Sequence, residues 1–226
     1  MDMIKKVGLS ALVLAGLFVL SSCAQLDVVG KDAVNSFEKL MAASSALVSE
    51  DEMNGGWSLA APDKSARFIW SRDYSGSPVH DVMIELDAQP FVSAGLDVSR
   101  LPEGMAYGNM LMLGTKLGEN AITYSGEATP FASFQKIVEL SRESVKYHAD
   151  LDHYGVDLSG GNAFEWAKDM STNDKDIVFV LDPKVFLDAG VDPAKVEDWV
   201  FARVKTMDAN SKPIEVDKFL KPFNLD

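Results

Sequence analysis

The strongest constraint on how this chain can fold is that it repeats itself. Asp81-Val-Met-Ile-Glu-Leu-Asp87, followed by Phe91, Ala94, Gly95 and Asp97, returns 95 residues on as Asp176-Ile-Val-Phe-Val-Leu-Asp182 with Phe186, Ala189, Gly190 and Asp192. The correspondence extends outward. Phe68, Trp70 and Asp73 match Phe164, Trp166 and Asp169, and Ser36, Phe37 and Lys39 match Ser133, Phe134 and Lys136. Downstream, Ile122 aligns with Ile214 and Pro130-Phe131 with Pro222-Phe223, now 92 residues apart. A tandem duplication is expected, with units at 32–128 and 129–226.

Within each unit the hydrophobic spacing changes period. Asp32 is placed to cap a helix whose apolar stripe runs through Val34, Phe37, Leu40, Met41 and Val48. Its twin begins at Thr129, with Pro130 in the first turn, and runs through Phe134, Ile137, Val138 and Val145. Two strands follow in each unit. The first holds Phe68 and Trp70, or Phe164 and Trp166; the second is Val82 to Leu86, or Ile177 to Leu181. The wholly apolar Ile177–Leu181 stretch reads as a central strand buried on both faces. Aspartate, proline and glycine then mark short helices capped by Asp97, Asp182 and Asp192. Hairpins close the units: Met110 to Leu117 with Ala121 to Tyr124, and Val200 to Met207 with Pro213 to Val216. The fold class is α+β, two tandem copies of a helix-strand-strand-short helices-strand-strand unit, with mainly antiparallel sheet and a pseudo-two-fold relation. One shared sheet and two separate sheets both fit this pattern.

The N-terminus has its own logic. A basic start with Lys5 and Lys6, an apolar run from Val7 to Leu20 and a small-residue exit form the three-part plan of an export signal. The exit reads Leu20-Ser21-Ser22-Cys23, and Cys23 is the single cysteine of the chain. This resembles the lipobox of bacterial lipoproteins. The resemblance implies a diacylglyceryl group on the Cys23 thiol, cleavage of the 1–22 signal peptide, and a lipidated tether over 23–31. It also implies localisation at the cell membrane or outer membrane, with the body outside the cytoplasm; Ala24, where inner-membrane lipoproteins carry Asp, resembles the outer-membrane class. Lipid contributes about 0.8 kcal/mol per buried CH₂, so two or three chains anchor without help from the body.

The charge of −13 becomes about −14 once Lys5, Lys6 and Asp2 leave with the signal, which disfavours nucleic acid because no counterion release would drive binding. With one cysteine, neither an intramolecular disulfide nor a thiolate zinc site can form.

The densest set of candidate metal ligands is His148, Asp150, Asp152, His153 and Asp157. It lacks the EF-hand glycine and terminal glutamate, and the histidines are five apart rather than the four of a helical HExxH pair. The same segment reads more readily as a solvated helix end and turn. No nucleophile elbow, phosphate loop or dinucleotide fingerprint occurs, so no catalytic residue is assigned. The expected cofactor is none, with a weak divalent cation as the exception. The expectation is an envelope lipoprotein with a non-catalytic body that binds an unidentified protein or small molecule in the groove between its halves. The alternatives are a metal-dependent enzyme using His148–Asp157 and a structural envelope subunit.

Overall fold

A first helix, α1, spans residues 29–43 and buries Ala33, Phe37 and Leu40 on one stripe. It ends where the Ser44 hydroxyl and amide both donate to the Leu40 carbonyl, at 2.6 and 2.9 Å, so the side chain supplies the bond that another helical turn would have made. The computed structural model describes residues 29–72, 80–115, 128–140, 142–148, 151–170, 175–207 and 212–225. The signal peptide, Cys23 and most of the tether lie outside the described residues.

Six strands follow α1: β1 (Val48–Asp51), β2 (Gly56–Ala60), β3 (Ala66–Ser71), β4 (Val82–Asp87), β5 (Ala106–Tyr107) and β6 (Met110–Thr115). They form one antiparallel sheet in the order β1-β2-β3-β4-β6-β5. The short helix α2 (Gln89–Ser93) and a 3-10 turn at Val98–Arg100 intervene between β4 and β5. Next comes α3 (Pro130–Leu140), and the pattern returns as β7 (Val145–His148), β8 (His153–Asp157), β9 (Ala163–Ala167), β10 (Ile177–Leu181), the short helix α4 (Lys184–Asp188), a 3-10 turn at Pro193–Lys195, β11 (Val200–Met207) and β12 (Pro213–Phe223). These strands form a second antiparallel sheet in the order β11-β12-β10-β9-β8-β7. The fold is α+β, with two six-stranded sheets and few helices.

The unit differs from the sequence expectation in three respects. Four strands, not two, separate each long helix from the short one. The helical stripes expected to reach Val48 and Val145 stop short of both valines, which begin strands, because β1 and β7 are short edge strands whose charged and polar residues imitate a helix end. Pro130-Phe131 opens a helix whereas Pro222-Phe223 closes a strand, so that downstream alignment joins unlike elements. In the first sheet the hairpin turns through Gly108 and Asn109 between β5 and β6; the turns expected at 118–120 and 208–210 lie outside the described residues.

The sheets share one core, built where matching residues meet. Phe37 stacks on Phe134 at 3.5 Å between ring centroids, Phe68 on Phe164 at 4.4 Å and Phe91 on Phe186 at 4.7 Å. All six are fully buried. At one end the backbone crosses over reciprocally: the Asp97 N–H donates to the Ala189 carbonyl (2.9 Å) and the Asp192 N–H to the Ala94 carbonyl (2.8 Å). Gly95 and Gly190 adopt φ of +105° and +101° there, and a Cβ on either would stand 3.0 or 3.1 Å from the other's carbonyl oxygen, so glycine is required twice over. These exchanges obey an approximate two-fold, in which each residue near the axis meets its own counterpart.

Candidate functional site

Among the described residues, stacked rings pack the interior of the seam between the halves. At the surface the seam opens into a groove of about 370 Å³ between α1 and α3, lined by Lys31, Val34 and Asn35 on one side and Gln135, Val138 and Arg142 on the other. Its lining is polar and apolar in about equal measure, with Glu139 beside the cations, unlike the mostly apolar cleft that suits a hydrophobic ligand.

The outer faces of the two sheets are where their chemistry differs. On the first, Arg67 makes a bidentate contact with Glu85, Nε to Oε1 at 2.8 Å and a terminal nitrogen to Oε2 at 2.9 Å. Its other nitrogen lies 3.2 Å from Asp51 Oδ2. Asp51 and Glu85 are both buried, and one fork-shaped cation satisfies the pair. The Glu85 hydrogen bonds lead in holding the guanidinium pKa above its ordinary value, against the opposing effect of burial.

Strand register identifies the matching positions on the second sheet. Trp70 pairs with Trp57 as Trp166 pairs with Tyr154, and Asp51 pairs with Gly56 as His148 pairs with His153. The charged network is absent there, since Ala163 and Val180 stand where Arg67 and Glu85 do. Those two residues, with Val178 and Leu220, form a small apolar cluster of their own. In its place, His148, His153 and Glu165 converge. His148 Nε2 lies 3.7 Å from Glu165 Oε1, and His153 Nδ1 lies 3.8 Å from Oε2. Neither distance is a hydrogen bond. The His148 Nε2, His153 Nδ1 and Glu165 Oε2 atoms are buried without a hydrogen-bond partner, an arrangement that costs about 1–3 kcal/mol per atom if left so.

Of the five ligands nominated from sequence, the structure thus brings two together. Asp152, in the β7–β8 turn at φ +52°, accepts the Tyr147 hydroxyl and lies 3.8 Å from Lys168 Nζ. That hydrogen bond and the Asp152 charge keep the phenol pKa above its ordinary value. Asp157 closes on Lys146 at the far end of the hairpin. Asp150 lies outside the described residues. Glu165 went unnoticed in the sequence because it sits inside Phe164-Glu-Trp166; the signal available was alternation, which places a charged residue between two buried aromatics on the opposite face. Among the described residues no group of three or more His, Cys, Asp or Glu side chains is placed as it stands to hold a metal ion, so a site here needs a side chain to move.

Of the duplicated aspartates, Asp97 and Asp192 are N-caps of their 3-10 turns, whereas Asp87 and Asp182, the latter expected as a cap, stand one residue before the N-caps Ala88 and Pro183 and accept the first helical N–H. Asp87, Asp97, Asp182 and Asp192 each accept from the backbone N–H two residues on, at 2.9–3.2 Å. Ser99 hydrogen bonds lead in lowering the Asp97 pKa, and the Lys195 contact leads in lowering that of Asp192. Trp70 and Trp166 are core residues at 0% exposure. No helix among the described residues is long and apolar enough to cross a membrane. Comparison with known protein families, curated proteins and solved structures found no match for this chain in any of the three.

Proposed function

We propose that this protein is an envelope lipoprotein, held to its membrane by lipid on Cys23, whose tandemly duplicated body (units 32–128 and 129–226) is a non-catalytic binding module. Its recognition surface is the α1–α3 groove. The observation that carries this reading is the groove itself: stacked rings fill the seam beneath, and at its rim α1 and α3 part to leave an open groove lined from both halves. Lys31, Arg142, Glu139, Asn35 and Gln135 around Val34 and Val138 suit a ligand with both hydrogen-bonding and apolar parts. The groove also lies at the start of α1, six residues from Cys23 to Val29, so at about 3.4 Å per residue it sits within roughly 20 Å of the lipid.

Two measurements test this. Cells making the full chain and fed labelled palmitate should label it, and Cys23→Ser should abolish both the label and the processing step; an equally labelled Cys23→Ser chain would refute the anchor. Native mass spectrometry of the detergent-solubilised full chain should show an adduct or a partner lost in Val34→Trp, which fills the groove. An adduct indifferent to that change would place recognition elsewhere.

A further inference from the structure

The orphaned polar atoms on the outer face of the second sheet belong to side chains that face one another, and the gaps between them are informative. A settled imidazolium–carboxylate pair would close to about 2.7–2.9 Å. A bridging water, with bonds of about 2.8 Å at a near-tetrahedral angle, would hold its two partners roughly 4.5 Å apart. The observed separations of 3.7 and 3.8 Å fall between. Two ligands each about 2.0–2.2 Å from one tetrahedral ion would stand about 3.3–3.6 Å apart, slightly closer than these pairs, so a small closure would bring them to an ion. We propose that His148, His153 and Glu165 form a binding site for a divalent transition-metal ion of the zinc class.

The surroundings are consistent with a built site. The side chains of His153 and Glu165 are 3% and 7% exposed, which removes water as an alternative partner for most of their surface. Gly155 lies between them on β8. A Cβ there would stand 3.1 Å from Glu165 Cγ and 3.2 Å from His148 Nε2, so its absence lets the two side chains lean together. His148, 30% exposed at the end of β7, is the rim ligand whose side-chain rotation completes the closure on the other two. Two imidazoles and one carboxylate match zinc and its neighbours, whereas calcium takes six to eight oxygens. Three protein ligands leave a fourth position for water or an incoming donor. The first sheet supplies an internal contrast: Asp51, Gly56 and Ile69 occupy the matching positions, and there the carboxylate is already satisfied by Arg67.

The test is a titration of the chelator-treated full chain in detergent with zinc by calorimetry and with cobalt(II) by visible absorption. The expected result is one ion per chain, with cobalt bands of a four-coordinate nitrogen and oxygen site. Glu165→Gln and His148→Ala should each weaken binding by more than about 100-fold, beyond what losing an outer-shell partner does. Asp152→Asn, which alters a carboxylate bonded to Tyr147, should leave binding unchanged. If Glu165→Gln loses its native circular dichroism, the exposed His148→Ala decides alone. Absence of saturable binding, or binding that survives His148→Ala, overturns the proposal. Since Val34→Trp does not touch this face, failure here and failure of the groove reading are separate results.

Discussion

If the two sheets form one core, rings facing each other across the two-fold must be energetically coupled. Phe68 and Phe164, both fully buried, lie 4.4 Å apart at an interplanar angle of 5°. Phe→Leu retains most of the apolar volume while removing the ring, so each single change should cost about 1–2 kcal/mol. For a chain of this length that lowers Tm by roughly 2–8 °C. The pair itself is worth about 0.5–1.5 kcal/mol beyond buried area, and either substitution removes all of it. The double variant should therefore be less destabilised than the sum of the singles by that amount. Urea unfolding followed by tryptophan fluorescence, which reports Trp70 beside Phe68 and Trp166 beside Phe164, and in parallel by circular dichroism, gives all four free energies. One shared transition with a coupling near 1 kcal/mol is expected. Additivity within about 0.3–0.5 kcal/mol, or two separate transitions, would mean that the halves fold independently and that the seam is only a contact.

Three further predictions follow from local geometry. Gly95→Ala meets both a φ of +105° and the Gly190 carbonyl at 3.0 Å, so it should cost about 2–4 kcal/mol, while Gly104→Ala, at φ +80° with nothing within 4 Å, should cost about 1 kcal/mol; equal melting temperatures would remove the steric argument at the crossover. Arg67→Ala strands the buried Asp51 and Glu85 carboxylates and should cost about 3 kcal/mol at neutral pH, with most of the loss recovered on adding Glu85→Gln and Asp51→Asn, as urea unfolding would show. Burial, with the charges of Asp32, Tyr147 and Asp152, pushes the Tyr154 hydroxyl up to about 12. Its contribution to stability is therefore complete below pH 10, the ordinary phenol value, and declines as pH rises toward 12; ultraviolet titration should show a tyrosinate near 12 that Tyr154→Phe removes.

The parts of the fold legible in the sequence were those under the heaviest packing constraint. Phe68, Trp70, Phe164 and Trp166 announced their strands through two-residue alternation, and the identical spacing of Phe91, Gly95 and Asp97 with Phe186, Gly190 and Asp192 announced the short capped helices. The edge strands were illegible for a physical reason. A strand with one hydrogen-bonded neighbour and one solvated side needs few apolar residues, so Val48-Ser-Glu-Asp51 and Val145-Lys-Tyr-His148 carry no core signature. The candidate site was half legible because its histidines lie near each other in sequence on one hairpin. Glu165 comes from the next strand, reached through register alone.

The two-fold also accounts for where the halves differ. A residue on the axis touches its own counterpart, so a change in one copy leaves a mismatch unless the other copy changes too; Phe37 with Phe134, Phe68 with Phe164, Phe91 with Phe186 and Gly95 with Gly190 are accordingly identical pairs. The outer faces have no such partner. A substitution there is judged only against its own sheet, and the two outer faces hold different sets: a satisfied Arg67–Glu85–Asp51 network on one, and His148, His153 and Glu165 with unpartnered atoms on the other, with only Asp51 and His148 at matching positions. Shape alone requires neither set, since alanine and valine replace Arg67 and Glu85 at the equivalent positions without loss of the strand order. Side chains that differ between the halves and that packing does not require, yet that carry buried polar atoms, need another reason to persist. A bound cation supplies one for His148, His153 and Glu165, because it would satisfy three atoms that no side chain or backbone group in the described structure reaches.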